Sequence, residues 1–580
     1  MAMAVQQIHP IAHLPLVLGV LRRLEVATII DRLIPPHPAH VLSCGRGVEA
    51  LVLAILDGDH ALYKVGKRLE ERGMVALLQP GLTRASLNDY RLGHILEALF
   101  AANLNQVYSA IALKALEVYT ILTPWVHQDT TTIALYGAYA DDLQTLGAPR
   151  PAYGHSKDGR DDLKQVLLSL GVSGDGGIPL RVGIRDGNRS DSVETPLAIE
   201  ECLALGLEGM RGIVADSKAY SRRTLGLCLE HKIDLVTLVP RTCAIRQALE
   251  AWGQQQLALP LLVEKPGRTK AEAPRRWHGQ SVMRHVEVEY SDGRVALEAL
   301  RFVVVHSSQL AQQQTQAYTA APAKEAAAVA AHVHHVQARW FACEADAAAA
   351  IAEYEHRGPG RRGRRPQAWR YHTVHYHVMA ATRQTRRARR GRPAKTDPPP
   401  TEAGYRLVVE VEGLANPEED NGWTVLATTV SAEVCPDAEI LQAYQEQHTT
   451  VEPGFRWIKN PAASAPVWLE KSERIAALAM LTVVGLLVYN VIQRQVRLYL
   501  RTHDQQLPGN KGMTPPPTAA VVLALFAQVA LIQFWIGGQE LAQVYGLQSY
   551  HRLICDALGL DHSWYEASSV PEIDQFGQTP

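Results

Sequence analysis

The stretch Trp125-Val-His-Gln-Asp-Thr-Thr-Thr-Ile-Ala-Leu-Tyr136 decides the reading of the fold. It follows Pro124 and is dense in β-branched and aromatic residues, which suit a pleated, half-buried surface, so it reads as a strand. Gln165-Val-Leu-Leu-Ser-Leu-Gly-Val172 is a second strand, Gly174-Asp-Gly-Gly177 a turn, and Pro179-Leu-Arg-Val-Gly-Ile184 a third strand that closes a hairpin. Glu194 to Leu207 then reads as a helix and Gly212-Ile-Val-Ala-Asp216 as a short buried strand. Ser221 to His231 reads as a helix capped by Ser221, and Ile233-Asp-Leu-Val-Thr-Leu-Val239 as a strand stopped by Pro240.

An antiparallel three-strand start followed by alternating helix and strand is the layout of an α/β ribonuclease-H-like core. Around it the character of the chain changes. Residues 1–120 read as a helical N-terminal domain, with apolar residues at three- and four-residue spacing in Val48 to Ile55, Ala85 to Leu104 and Val107 to Val118. Ser86 is a candidate cap there. Lys64, Lys67, Arg68, Arg72, Arg84 and Arg91 make DNA contact a candidate role, diluted by Asp57, Asp59, Glu70, Glu71 and Asp89. Residues 121–240 hold the first part of the core and 431–500 its end. Between them 241–430 form a β-rich insertion, with strand-like runs in Ser281 to Val305 and Tyr405 to Val411 and a helix expected over Ala321 to His356. Residues 501–580 are expected to form a C-terminal helical region.

The whole chain has 580 residues, about four domains at ~150 residues each. With 47% apolar and 20% charged residues, it is not mainly disordered, collagen-like or coiled-coil. Its formal net charge is -1, so a positive partner surface must be local. The local feature is the insertion segment Arg357 to Lys395, which carries 13 Arg and Lys and no Asp or Glu. Arg361, Arg362, Arg386, Arg387, Arg389 and Arg390 lie in it, with Trp369, Tyr371 and Tyr376 interleaved, as suits a phosphate backbone. His332, His334 and His335 lack acidic or Cys companions and read as a helix face rather than a metal site. The seven cysteines form no CxxC pair, which fits a reducing cytosol. The N-terminus lacks the basic start of a signal peptide.

Three acids fall where this core would bring them together. Asp129 lies in the first strand and Asp216 at the end of the fourth, so the two converge at one end of the sheet. A third must come from a later helix, and Tyr444-Gln-Glu-Gln-His-Thr-Thr-Val-Glu-Pro-Gly-Phe-Arg-Trp-Ile-Lys459 supplies Glu452. Thr449 or Thr450 is expected to cap a helix there, with Pro453 in its first turn. Val451, Phe455 and Ile458 form an apolar stripe, and Glu452, Arg456 and Lys459 a polar one beside it. Three clustered carboxylates without sulfur select Mg²⁺ or Mn²⁺. Two such ions ~4 Å apart activate a nucleophile and stabilise the leaving oxygen of a phosphodiester. Lys459 and Arg456 would then hold DNA phosphate.

Thr450-Val-Glu-Pro-Gly-Phe-Arg-Trp-Ile-Lys459, Asp129-Thr-Thr-Thr132, Val214-Ala-Asp-Ser-Lys-Ala-Tyr220 and Gly154-His-Ser-Lys-Asp-Gly-Arg160 together resemble bacterial insertion-sequence DDE transposases. More narrowly, they resemble the group with a Tyr, Arg, Glu, Lys signature around the last acid. The resemblance covers about Val41 to Leu500. It implies a metal-binding triad of Asp129, Asp216 and Glu452, with Lys459 at the signature lysine. Tyr444 and Gln447 depart from the signature: Gln stands where it has Arg, and the Tyr-to-Glu spacing is one residue longer. The resemblance further implies nicking at element ends and 3′-hydroxyl attack on target DNA. It also implies an insertion that binds the element end, a synaptic complex of at least a dimer, and a cytoplasmic, nucleoid-associated enzyme.

Two readings compete. One is a metal-dependent nuclease or an inactive remnant of such a transposase. The other is a membrane-associated protein, since Ile475 to Ile492 and Ala519 to Gly538 carry no charge over 18 and 20 residues. A pair of buried helices is the expectation for those two segments, with no membrane contact.

Overall fold

The computed structural model describes residues 4–137, 139, 145, 147–267, 272–356, 369–384, 401–413, 422–460, 469–509, 512–514, 516–536 and 539–565. The chain divides into two compact units. One comprises Met1–Leu249, Ser281–Val303 and Val425–Pro580, the other Glu250–Gln280 and Val304–Thr424.

The first unit is built on a mixed sheet. Its strands include β1 (Trp125–Leu135), β2 (Lys164–Ser173), β3 (Pro179–Asp186), β4 (Gly212–Ala215), β5 (Asp234–Leu238), β6 (Arg275–Glu289), β7 (Val295–Ser307) and β8 (Trp423–Thr428), in the spatial order β3-β2-β1-β4-β5-β8-β7-β6. β1 and β2 pair antiparallel from Val126↔Ser173 to Leu135↔Lys164, and β2 and β3 continue the hairpin. Helices α1 (Asp191–Ala204) and α2 (Arg222–Glu230) carry the chain over the sheet, so β4 runs parallel to β1 and β5 parallel to β4. β2 is buried along nearly its whole length rather than on alternate residues, which marks a strand covered on both faces.

Local differences from the sequence reading follow from capping. α1 starts at Asp191, three residues before Glu194, because Ser190 Oγ accepts from the Ser192 amide. β4 stops at Ala215, and Asp216 caps the following turn by accepting from the Lys218 amide at 3.0 Å. Ser221 does cap α2, accepting from the Thr224 amide. Helix α3 (Asp437–Ile458) is the largest departure. It begins fifteen residues before Glu452, so Thr449 and Thr450 are not caps. Both hydroxyls instead bond back to the Glu446 carbonyl, at 3.0 and 2.8 Å, as helix-interior threonines do. Pro453 therefore sits inside the helix. The expected apolar stripe holds: Val451, Phe455 and Ile458 are buried.

Six helices, Leu14–Arg23, Val26–Leu33, Cys44–Leu56, Leu62–Glu71, Asp89–Ala101 and Leu104–Tyr119, form most of the N-terminal region. Ser86 lies in a short 3-10 turn, and Asn88 caps the next helix by accepting from the Arg91 amide at 2.8 Å. The basic residues of this region are largely paired within it: Lys64 with Asp59, Lys67 with Glu71, Arg68 and Arg72 with Asp57, and Arg84 with Glu70.

Helix α4 (Ser472–Thr502) contains the first apolar segment and is long and apolar enough to cross a membrane, but nearly all of that stretch is buried inside the protein. The second segment is not a helix throughout. Ala519–Ala524 is helical, and Ala530–Ile536 is a strand between Ala4–His9 and Gln539–Tyr545. The run Ala-Leu-Ile-Gln-Phe-Trp-Ile is β-branched and aromatic, which explains the difference. The C-terminal region is thus mixed rather than helical, and the N-terminal region lends it a strand.

In the second unit, Leu261–Lys265 pairs with Arg275–His278, and His372–Gln384 forms a two-stranded ribbon with Thr401–Gly413. The helix expected over Ala321 to His356 is two helices, Ser308–Gln337 and Glu344–His356. They separate where Phe341 joins the ribbon through backbone bonds with Tyr405. His332 shares a 2.8 Å hydrogen bond with the Tyr376 hydroxyl and packs edge-on to Tyr354 and Trp369. Arg361, Arg362, Arg386, Arg387, Arg389 and Arg390 lie outside the described residues.

Candidate active site at one end of the sheet

The parallel register of β1 and β4 sets the site. Their last pair is Gln128↔Ala215, so the next residues along the two strands are Asp129 and Asp216. Successive side chains of a strand alternate faces, and the same step on neighbouring parallel strands puts both carboxylates on one side. The field of Asp216 acts on Asp129. Burial pushes the Asp129 carboxyl up to about 6; Lys157 and the Thr130 amide pull it down, while Asp216 and Asp191 push it further up. Asp216 is likewise raised, chiefly by burial, with the Lys218 amide and Lys157 opposing and Asp191 adding.

Lys157 and Asp191 were not among the residues expected from sequence. Lys157 comes from the loop Gly154 to Arg160. Its Nζ donates to the Thr130 carbonyl at 2.7 Å and to Thr130 Oγ1 at 2.5 Å, and stands 3.4 Å from Asp191 Oδ2. Thr130 Oγ1 in turn donates to Asp191 Oδ1 at 2.7 Å. Asp191 is delivered by the N-terminus of α1, and a buried ionic network holds that helix. Glu194, with no exposed side-chain surface, accepts from Arg181 at 3.0 Å and Arg185 at 3.1 Å and forms an ion pair with Arg189 at 2.9 Å. Arg181 also donates to Ser169 at 2.8 Å and Gln128 at 3.3 Å, which ties the network to the strand that carries Asp129. The signal in the sequence was present but silent. Gly154-His-Ser-Lys157 carried the family resemblance without a role, and Asp191 opens a helix, where an acid needs no function.

α3 packs on this sheet and brings the third acid. Arg301 fixes its start, donating to the Val430 and Cys435 carbonyls and pairing with Asp437. Gln447, at the departed signature position, is buried and donates from Nε2 to the Gln128 carbonyl at 3.4 Å. Tyr444 lies over the acids: burial pushes its phenol up to about 12, and Asp216, Asp129 and Glu452 push in the same direction, against Arg246. Glu452 is exposed, and His448 Nδ1 donates to its Oε1 at 2.5 Å. Among the described residues no group of three His, Cys, Asp or Glu side chains is closed enough to hold a metal ion as it stands. The strand register thus brings Asp129 and Asp216 together, while Glu452 lies on α3 with its carboxylate paired to His448. Arg456 is exposed on that face, and Lys459 pairs with Asp158 at 2.5 Å.

Two neighbouring aspartates, at the ends of parallel strands and next to a sheet-packed helix that carries a glutamate, are the frame of the site. The family model described as "Transposase DDE domain" matches residues 129–491, more than half of the chain, and the chain belongs to that family. The match begins at Asp129 and includes Asp216, Glu452 and Lys459. A second model, "Domain of unknown function (DUF4277)", matches residues 6–113, the helical N-terminal region. No curated protein matches the chain. Among solved structures, the chain is similar to a piggyBac transposase in a synaptic complex with hairpin DNA, at 10% identity and a TM-score of 0.24. The similarity spans 52% of this chain and 63% of that one, and at that score it carries no weight for the fold.

Proposed function

We propose that the chain is an insertion-sequence DNA transposase with a ribonuclease-H-like catalytic core, and that Asp129, Asp216 and Glu452 are its metal-binding triad. The observation that carries this reading is the register step that sets Asp129 and Asp216 side by side beneath the helix of Glu452. The donor set fits a hard divalent cation: it is all carboxylate oxygen, with no sulfur. Asp216 and Asp191 add to the proton affinity of Asp129, and Asp191 adds to that of Asp216, so this partly buried pair of acids is short of positive charge although Lys157 acts on both. Mg²⁺ or Mn²⁺, as two ions, would supply activation of the attacking oxygen and stabilisation of the leaving one. Glu452 reaches them by turning away from His448, a side-chain rotation on an exposed helix face.

The chain's own residues do the rest. Lys459 and Arg456 hold the DNA backbone beside the scissile bond. Tyr444 and Gln447 close the pocket between α3 and β1. The acids act first in hydrolytic nicking at the element ends, then in attack of the freed 3′-hydroxyl on target DNA. The two ends are held in a synaptic complex of at least two copies of the chain. Arg361, Arg362, Arg386, Arg387, Arg389 and Arg390 in the insertion bind the element end through phosphates. For the functional regions the reading keeps the division expected from sequence, helical 1–120, core in 121–240 and 431–500, insertion 241–430 and C-terminal region 501–580, with Ser281–Val303 of the insertion belonging to the first compact unit. An enzyme of this kind works in the bacterial cytoplasm, at the nucleoid.

The test is cleavage of a duplex carrying the DNA that flanks the gene, in Mg²⁺. Asp129→Ala, Asp216→Ala and Glu452→Ala are each expected to abolish cleavage while leaving folding and end binding intact. Near-native cleavage by any one of them removes that residue from the triad.

A further inference from the structure

The carboxylate pocket and the signature lysine are joined by two consecutive residues of one loop. Lys157 reaches into the pocket, to Thr130 and Asp191. Asp158, the next residue, faces the other way and pairs with Lys459 at 2.5 Å. The loop around them is internally braced. Ser156 Oγ accepts from the Asp158 and Arg160 amides at 3.2 and 3.1 Å, and the Ser156 amide donates to Asp161 at 3.0 Å. At the loop's root, Gly154 lies so close to the Gly187 carbonyl that a Cβ would stand 2.4 Å from its oxygen. A braced loop moves as a piece, so the positions of Lys157 and Asp158 are coupled.

We propose that this loop is a latch that links DNA capture to cation entry, an inference that rests on the metal-site reading above. Without DNA, Asp158 holds Lys459 and the latch keeps the Lys157 ammonium beside the acids, where it repels a divalent ion. The Asp158–Lys459 pair is partly exposed on both sides, so it is weak and open to competition. A DNA phosphate arriving at Lys459 takes the ammonium from Asp158. The loop is then free to withdraw Lys157, and the carboxylates Asp129 and Asp216 accept the cation in its place. Lys157 and Asp158 are on this view positioning residues. Their effect is that the site loads metal only with DNA in place, which guards against cleavage chemistry without a substrate.

The experiment is Mn²⁺ titration of the full chain, followed by the loss of the free-ion electron paramagnetic resonance signal, with and without a short duplex. Wild type is expected to bind Mn²⁺ weakly alone and roughly tenfold more tightly with the duplex. Lys157→Met and Asp158→Ala are expected to bind as tightly alone as wild type does with DNA, and to gain little from it. Asp158→Ala alters a partly exposed side chain, so it reports even if Lys157→Met folds poorly. Asp129→Asn provides the control. If Mn²⁺ binding depends on Asp129 but neither loop variant changes the response to DNA, the latch is wrong and the metal site stands. If Asp129→Asn leaves Mn²⁺ binding unchanged, the metal-site reading fails and the latch falls with it.

Discussion

Glu194→Gln isolates the device that sets the pocket's second row. The substitution keeps the shape of the side chain and removes its charge. In the native protein Glu194 is fully buried and meets three guanidinium groups at 2.9–3.1 Å, of which Arg181 is itself only 4% exposed. Breaking a buried pair by removing one partner costs about 3–5 kcal/mol, because a charge is left without its counterion. Glu201 remains and still pairs with Arg181 and with Arg185, and Arg189 is near the surface, so the low end applies. The expectation is a loss of ~3 kcal/mol in urea unfolding at neutral pH. Glu194→Asp keeps the charge and is expected to recover part of it. Since α1 carries Asp191 to Thr130, cleavage should fall along with stability, and metal affinity should fall less than with Asp129→Ala. A Glu194→Gln variant that unfolds at the wild-type urea midpoint refutes the reasoning: the arginines would then be satisfied by Glu201 and water.

Lys459→Ala is expected to lower cleavage and strand transfer without weakening Mn²⁺ binding, whereas Glu452→Ala weakens both; native single-turnover cleavage by Lys459→Ala excludes a phosphate-holding role. Glu97 carries a pH signature. Lys471 at 2.6 Å, with Arg474, holds its carboxyl well below the usual range, at about 2. A folded-state value below the unfolded one stabilises the protein above about pH 4.5 and is lost as pH falls toward 2. With the side chain 23% exposed, and Lys471 half exposed, screening leaves about 1 kcal/mol. The stability gap between wild type and Glu97→Gln should therefore close between pH 5 and pH 2, and a gap that stays constant over that range rejects it. Neutralising Arg386, Arg387, Arg389 and Arg390 should weaken DNA binding and flatten its salt dependence; an unchanged slope makes the tract a solvated loop.

The sequence by itself carried the strand and helix order of residues 125–239, because each element there is local. β-branched runs bounded by Gly and Pro, and a helix capped at Ser221, announce themselves over a dozen residues. It also carried Asp129, Asp216 and Glu452 as candidates, since the Thr-rich strand, the Val-Ala-Asp step and the Glu-to-Lys spacing are contiguous words. It misread what depends on partners far along the chain. Ala530–Ile536 became a strand because Ala4–His9, more than five hundred residues earlier, offers an edge to pair with. Thr449 and Thr450 became helix-interior residues because Arg301 anchors α3 at Asp437. Lys157 and Asp191 gained their place only when β1, the loop before β2 and the start of α1 met around Thr130. Strand propensity and caps act over a few residues, whereas an ion pair or a register is settled by which distant segments fold together, and only the tertiary structure decides that.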